Sequence, residues 1–135
     1  LEKRGEPVEP RDLADSRHDC LMLRYPGLRQ HLWVLQTPDG PQKVEVHGPY
    51  DSDDGDVLTG WALAGHGIVN KPRFEIEPFI RDQRLKIIMT ATPPVPAQLA
   101  AVYPHKKLQD PKVRLILDFM AERCQKMIRD ILTAR

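Results

Sequence analysis

The spacing of apolar and polar residues predicts a strand, a helix and a second strand between residues 44 and 69. Val44 to His47 alternate apolar and polar at period two, which is typical of a half-buried strand. Ile68 and Val69 form the next short apolar run. Between them, four apolar side chains recur at the spacing of one helix face: Val57, Leu58, Trp61 and Ala62. This order is typical of a βαβ unit, which has parallel strands and a ligand crevice at the helix N-terminus.

The predicted helix has signals at both of its ends. The aspartates between residues 51 and 56 offer side-chain acceptors to the free amides of a helix N-terminus. Gly65 and Gly67 can adopt positive φ, so we expect them to end the helix.

Other apolar runs predict the remaining elements. We expect the end of a helix at 1–4, a helical turn at 10–14, and strands at 20–23, 31–35, 42–47, 85–89 and 99–103. The turn residues at 38–41 should join 31–35 and 42–47 as a hairpin. The strand at 99–103 is wholly apolar and is expected to be buried on both faces. Three prolines should keep 92–96 extended.

Two segments remain for helices. Residues 72–82 are weakly helical, with Phe74, Phe79 and Ile80 as candidate core residues, but Pro78 argues against one continuous helix. The last helix is the clearest element, with Asp110 as its cap and Pro111 in its first position. Its apolar face comprises Val113, Ile116, Leu117, Met120, Cys124, Met127 and Ile131.

Composition places the chain among ordinary globular domains. Its 135 residues suffice for one domain with a core, and no apolar run reaches the roughly 20 residues that span a bilayer. The net charge of +1 does not indicate a nucleic-acid or membrane partner. The basic face of the last helix is what any surface helix carries, and direct DNA contact is the less favoured interpretation. Cys20 and Cys124 fit buried thiols in a reducing cytoplasm.

Catalytic and metal sites find little support in the residues. The aspartates near 53 lack the glycine and glutamate positions of an EF-hand loop, so helix capping is favoured. No histidine pair has metal-ligand spacing, and Ser16 and Ser52 have no local base. His66 follows a helix end, where it is either a cation stabilised by the helix dipole or a ligand donor. We therefore predict no metal, no cofactor and no enzymatic activity.

The same residues resemble the effector-binding domain of LysR-type transcriptional regulators. Asp54-Gly55-Asp56-Val57-Leu58 and Trp61-Ala62-Leu63-Ala64-Gly65-His66-Gly67-Ile68 carry the strongest similarity. Residues 1–7 resemble the family's Leu-x-x-Arg-Gly-x-Pro, and 10–13 its Pro-x-Asp-Leu. Residues 18–21, 101–105, 112–114 and 118–119 continue the match in order, so the resemblance runs along nearly the whole chain.

The resemblance implies an α/β fold of the type 2 periplasmic-binding-protein class. Residues 1–90 would be a Rossmann-like second subdomain that lacks its first strand. Residues 91–135 would be the return crossover, last strand and long C-terminal helix of the first subdomain. A small effector would lie in the cleft between subdomains. The cleft residues carried over are Arg24, Asp53, Asp54, Gly55, His66, Gly67, Ile68 and Val69.

The implied function is the effector-sensing portion of a cytoplasmic regulator that acts as a homodimer or homotetramer. DNA would be bound only through an N-terminal helix-turn-helix outside these residues. The alternative is a stand-alone small-molecule-binding or dimerisation module. The family usually has Leu-Pro where this chain has Lys71-Pro72. Four aspartates near one helix N-terminus argue against a multiply charged anionic effector unless Arg24 or Lys71 reaches it.

Overall fold

The structure is a computed structural model, which describes residues 5–15, 17–25, 27, 31–104 and 110–133. The helices are α1 (Pro10–Ala14), α2 (Gly55–Leu63), α3 (Arg73–Arg81) and α4 (Pro111–Thr133). The strands are β1 (Cys20–Leu23), β2 (Leu32–Thr37), β3 (Gly40–Glu45), β4 (Asp51–Ser52) and β5 (Ile68–Val69). The predicted helix end at 1–4 lies outside the described residues.

A parallel three-stranded sheet in the order β4-β1-β5 organises the domain. Leu23 pairs with Ser52 on one side of β1, and Leu21 pairs with Val69 on the other. Helix α2 connects β4 to β5 and so crosses over the central strand. A strand–helix–strand unit with parallel strands is therefore present, as predicted, and its helix and second strand are the predicted ones.

The strand that leads into α2 is β4, and the prediction that Val44 to His47 lead into it was wrong. Residues up to Glu45 belong to the antiparallel β2–β3 hairpin, in which Trp33 pairs with Val44. The amide of Cys20 donates to the carbonyl of His47 (2.8 Å), where the chain passes from hairpin to sheet. A Cβ on Gly48 would lie 2.0 Å from the Cys20 carbonyl oxygen, so only glycine fits this crossing.

Side chains from β1 enter two separate hydrophobic clusters, one on each face of the sheet. Cys20 belongs to the cluster with the hairpin, and Leu21 to the cluster beneath α2, because successive strand residues point to opposite faces. The α2 cluster contains Leu58 and Ala62 as predicted, whereas Val57 of the predicted face is 39% exposed. Burial raises the pKa of the Cys20 thiol to about 12.

Helix α3 is continuous through Pro78, contrary to the predicted break. A proline inside a helix removes one backbone hydrogen bond. Ion pairs across that turn offset the loss, since Glu77 pairs with Arg73 (2.7 Å) and with Arg81 (3.5 Å). The predicted core residues of this segment are only half-buried, and the buried residue is Glu77.

The predicted strands at 85–89 and 99–103 are not formed. Met89 is buried in the hairpin cluster with φ of 54°, a left-handed conformation that a strand cannot accommodate. Leu99 and Val102 are 66% and 98% exposed, so the second segment is not buried on two faces. An apolar run becomes a strand only when it pairs with another strand, and no described strand pairs with either segment.

The proline-rich connection at 92–96 is extended, as predicted, and it runs beside β2. The amide of Gln36 donates to the Pro93 carbonyl (2.7 Å), and the amide of Val95 donates to the Val34 carbonyl (3.1 Å).

Helix α4 begins as predicted, since the amide of Lys112 donates to Oδ1 of Asp110 at 3.0 Å. It packs against α3, and the Arg81 guanidinium donates to the Ile131 carbonyl near its C-terminus. The predicted apolar face is divided: Val113, Leu117, Cys124 and Ile131 are half-buried, whereas Ile116, Met120 and Met127 are exposed. In the part of the chain that the structure describes, no helix is both long and apolar enough to cross a bilayer.

Candidate functional site

The carboxyl ends of the three parallel strands meet at one edge of the sheet. Arg24 follows β1, Asp53 and Asp54 follow β4, and Lys71 follows β5 by two residues. Charged groups at this edge are positioned by the strands because each is within two residues of a strand end. In open α/β sheets, ligands bind in the crevice outside this edge.

Asp54 caps α2. Its Oδ1 accepts from the amide of Asp56 at 2.8 Å and from that of Val57 at 3.4 Å, and its own amide donates to Ser52 Oγ at 3.0 Å. The predicted capping role is confirmed, and a cap of this type stabilises a helix by about 1 kcal/mol. The carboxylate also offsets the positive end of the helix dipole.

Arg24 is held by the strand beside it. Its Nη2 lies 3.2 Å from Oδ1 of Asp51, and both side chains are about half exposed. Its amide donates to the Ser52 carbonyl at 2.7 Å. An exposed pair of this kind contributes little to stability, so the guanidinium is accessible to a ligand at small cost.

Lys71 reaches from β5 to the N-terminus of α2. Its side chain is only 7% exposed and forms an ion pair with Glu75 of α3. Its Nζ lies 2.6 Å from the position that a Cβ on residue 55 would occupy. Glycine at position 55 therefore makes room for the ammonium group.

A cavity of about 740 Å³ runs along the outer edge of β5. Apolar side chains from the hairpin, α3 and the 85–89 segment line part of it, and its charged lining residues are Asp19, Lys71, Arg84 and Lys86. Its volume lies within the range of small-molecule pockets. Four of the predicted cleft residues line it: His66, Gly67, Ile68 and Val69.

The predicted cleft residues fall into two groups. Arg24, Asp53, Asp54 and Gly55 lie at the carboxyl edge and do not line the cavity. His66 lies beyond the opposite end of β5, where its exposed ring contacts that of Tyr50 at 5.6 Å between centroids. An extended chain from residue 66 to residue 69 spans about 10 Å, so His66 lies about that far from the carboxyl end of β5. Lys71 connects the two groups of residues, because it lines the cavity and its Nζ lies beside Gly55.

The end of α2 follows the prediction at one glycine and not at the other. Gly65 has φ of 80° and ends the helix. Gly67 does not have positive φ; instead, a Cβ there would lie 2.5 Å from the Asp19 carbonyl oxygen. Close packing of β5 on β1, rather than backbone conformation, therefore requires this glycine.

Two buried polar residues of the cavity wall were absent from the predicted set. His18 is 8% exposed, and Thr92 is 9% exposed with no hydrogen-bond partner for Oγ1 among the described residues. Neither has a local sequence signal, because each reaches the cavity through the packing of distant segments. No group of three potential metal-ligating side chains occurs within the described ranges.

Comparison with known proteins identifies the family. Residues 1–125 match the family described as "LysR substrate binding domain". The transcriptional activator TtdR of Escherichia coli K12 is 30% identical over 131 residues, which are 95% of this chain and 40% of TtdR. The transcriptional regulator DmlR of the same strain is 27% identical over 84% of this chain and 37% of its own length.

A solved structure agrees with this assignment. The full-length virulence activator AphB of Vibrio cholerae, a member of the same regulator family, superposes with a TM-score of 0.68 and 25% identity. The superposition covers 88% of this chain and 40% of AphB. The chain therefore belongs to the LysR substrate-binding domain family and has its periplasmic-binding-protein-like fold. It spans about two fifths of the length of these relatives, which are regulators of transcription and not enzymes.

Proposed function

We propose that this chain is the effector-sensing portion of a LysR-type transcriptional regulator. It binds a small metabolite at the carboxyl edge of the parallel sheet, within a cleft that a second subdomain completes. The meeting of Arg24, the capped end of α2 and Lys71 at that edge is the observation that supports this proposal. We assign residues 1–90 to one subdomain and 91–135 to the chain's return to the other.

The proposed mechanism is a shift between conformations. An effector that contacts both subdomains stabilises their closed arrangement by its difference in affinity for the closed and open forms. The preference passes through a homodimer or homotetramer to a helix-turn-helix domain outside these residues, which contacts DNA. The eight cleft residues named above are the proposed contacts: Arg24, Asp53, Asp54 and Gly55 at the carboxyl edge, and His66, Gly67, Ile68 and Val69 along the cavity.

Ligand binding tests the sensing function directly. A library of cytoplasmic metabolites is added to the purified chain, and the thermal midpoint of unfolding is measured for each. A ligand at 100 times its dissociation constant stabilises the folded state by about 2.7 kcal/mol, so a binder raises the midpoint by several degrees.

Matched variants locate the site. The effect of the metabolite should shrink in Arg24→Ala and in Asp53→Ala, whereas Arg11→Ala, an exposed arginine that pairs with Glu9 on α1, should retain it. Either a library without any stabilising metabolite or a hit that is indifferent to both edge variants would contradict the proposed site. The gene upstream of the Leu1 codon should encode a helix-turn-helix. An unrelated domain there would contradict the proposed role in a transcriptional regulator.

A further inference from the structure

The unusual feature of the site is a buried ammonium group at the positive end of a helix. The side chain of Lys71 is 7% exposed, and its Nζ lies against the Gly55 backbone at the start of α2. A lysine is rarely buried without a partner, and a helix N-terminus repels a cation. Its position therefore depends on the nearby carboxylates.

The partner of Lys71 is itself easy to displace. Glu75 lies one helical turn along α3, and its side chain is 37% exposed. An exposed carboxylate can turn into water at little cost, while the buried ammonium cannot. A ligand carboxylate that enters the cavity could therefore take the place of Glu75.

We propose that Lys71 selects the effector, by exchanging its ion pair with Glu75 for one with a carboxylate of the ligand. This inference rests on the proposed effector-binding function and names the ligand class for it: a carboxylic acid with an apolar body.

The charged residues of the cavity wall favour an anionic ligand. Among the lining residues that the structure describes, Asp19 is the one carboxylate, whereas Lys71, Arg84 and Lys86 are cations. Asp53 and Asp54 lie at the carboxyl edge and do not line the cavity. The cations of the wall therefore support the approach of a ligand carboxylate to Lys71, since opposite charges attract.

The cavity can hold the rest of the ligand. Its wall is mainly apolar, with side chains that include Leu85 and Ile76. The buried Thr92 hydroxyl, which has no partner among the described residues, also lines it. A buried hydroxyl without a partner is costly, so a polar group of the ligand would satisfy it.

Acetate is the probe that tests Lys71 without knowledge of the effector. Nuclear magnetic resonance follows the lysine side-chain signals of the isotope-labelled chain while sodium acetate is added, with sodium chloride at the same ionic strength as the control. We expect a saturable acetate-specific shift at Lys71 and none at Lys43, which is exposed on β3. Identical responses at Lys71 and Lys43 would overturn the proposal.

Two further variants distinguish a change in acetate binding from a loss of the fold. Glu75→Gln removes the carboxylate that competes with acetate for Lys71, so the acetate concentration at half-saturation should fall several-fold. Gly55→Ala places a methyl group within 2.6 Å of Nζ and should weaken acetate binding, whereas Gly60→Ala, in open space on the same helix, should not. An acetate concentration at half-saturation that is unchanged in Glu75→Gln would overturn the proposal. A metabolite that stabilises wild type and Lys71→Met equally would overturn it as well, while leaving the proposed function intact.

Discussion

At the scale of single residues, two glycines in or near α2 differ in the space that an added side chain would have. Gly67 sits where β5 meets β1, and a Cβ there would come within 2.5 Å of the Asp19 carbonyl oxygen. Gly60 lies in the interior of α2 with nothing within 4 Å of an added Cβ. The same substitution should therefore change stability in opposite directions at the two positions.

We predict that Gly67→Ala lowers the free energy of unfolding by about 1–3 kcal/mol, the usual cost of overpacking. Gly60→Ala should raise it by about 0.5–1 kcal/mol, because alanine is the better helix former. Urea denaturation of both variants measures the two values. Equal effects from both substitutions would mean that β5 does not approach β1 as closely as described.

At the scale of secondary structure elements, α3 depends on its ion pairs. Glu77 is buried and accepts from Arg73 Nε at 2.7 Å, with Arg81 on the next turn. The hydrogen bond from Arg73, followed by the charges of both arginines, lowers the pKa of Glu77 below its ordinary value. A carboxylate whose pKa is lower in the folded than in the unfolded state stabilises the fold above its unfolded pKa, which is about 4.3.

We predict that this contribution is lost as the pH falls through the lowered pKa of Glu77. In Glu77→Gln, unfolding at neutral pH should need less urea than in wild type, and the difference should narrow as the pH is lowered below about 4.3. Glu122→Gln, on the exposed surface of α4, serves as the control and should not differ from wild type. A gap between wild type and Glu77→Gln that stays constant down to low pH would contradict the assigned role.

At the scale of the whole molecule, α4 exposes several large apolar side chains on one side. Leu115 and Phe119 are 73% and 60% exposed on one side of the helix, and Ile116 and Met120 are exposed beside them. The outer edge of β5 also has no neighbouring strand in the described part of the chain. Exposed apolar patches and open sheet edges both favour association.

We predict that this chain self-associates as its concentration rises. Replacing Leu115 and Phe119 by lysine should shift the mass measured by light scattering toward that of the monomer. Lysines at Ala121 and Gln125, exposed positions on another side of α4, add the same charge and should leave the mass unchanged. A wild-type chain that stays monomeric at high concentration would show that these surfaces do not drive association.

Local patterns determined the elements that need no distant partner. The β2–β3 hairpin follows from its turn residues, α2 from its apolar spacing and the Asp54 cap, and α4 from Asp110 and Pro111. Their signals lie within a few residues of the structure that they specify, so a single sequence suffices to predict them. The carboxyl-edge position of Arg24 follows in the same way, because it comes directly after the predicted strand at 20–23, whereas β4, which precedes Asp53, was not predicted.

Tertiary structure decided the features that depend on contacts far along the chain. The apolar runs at 85–89 and 99–103 resemble strands, but they form none because no described ladder receives them. The burial of Lys71 against Gly55 and the unpaired hydroxyl of Thr92 likewise arise from segments distant in sequence. The spacing of residues shows which positions are apolar. The partner that buries an apolar residue is decided by packing, and sequence spacing does not measure packing directly.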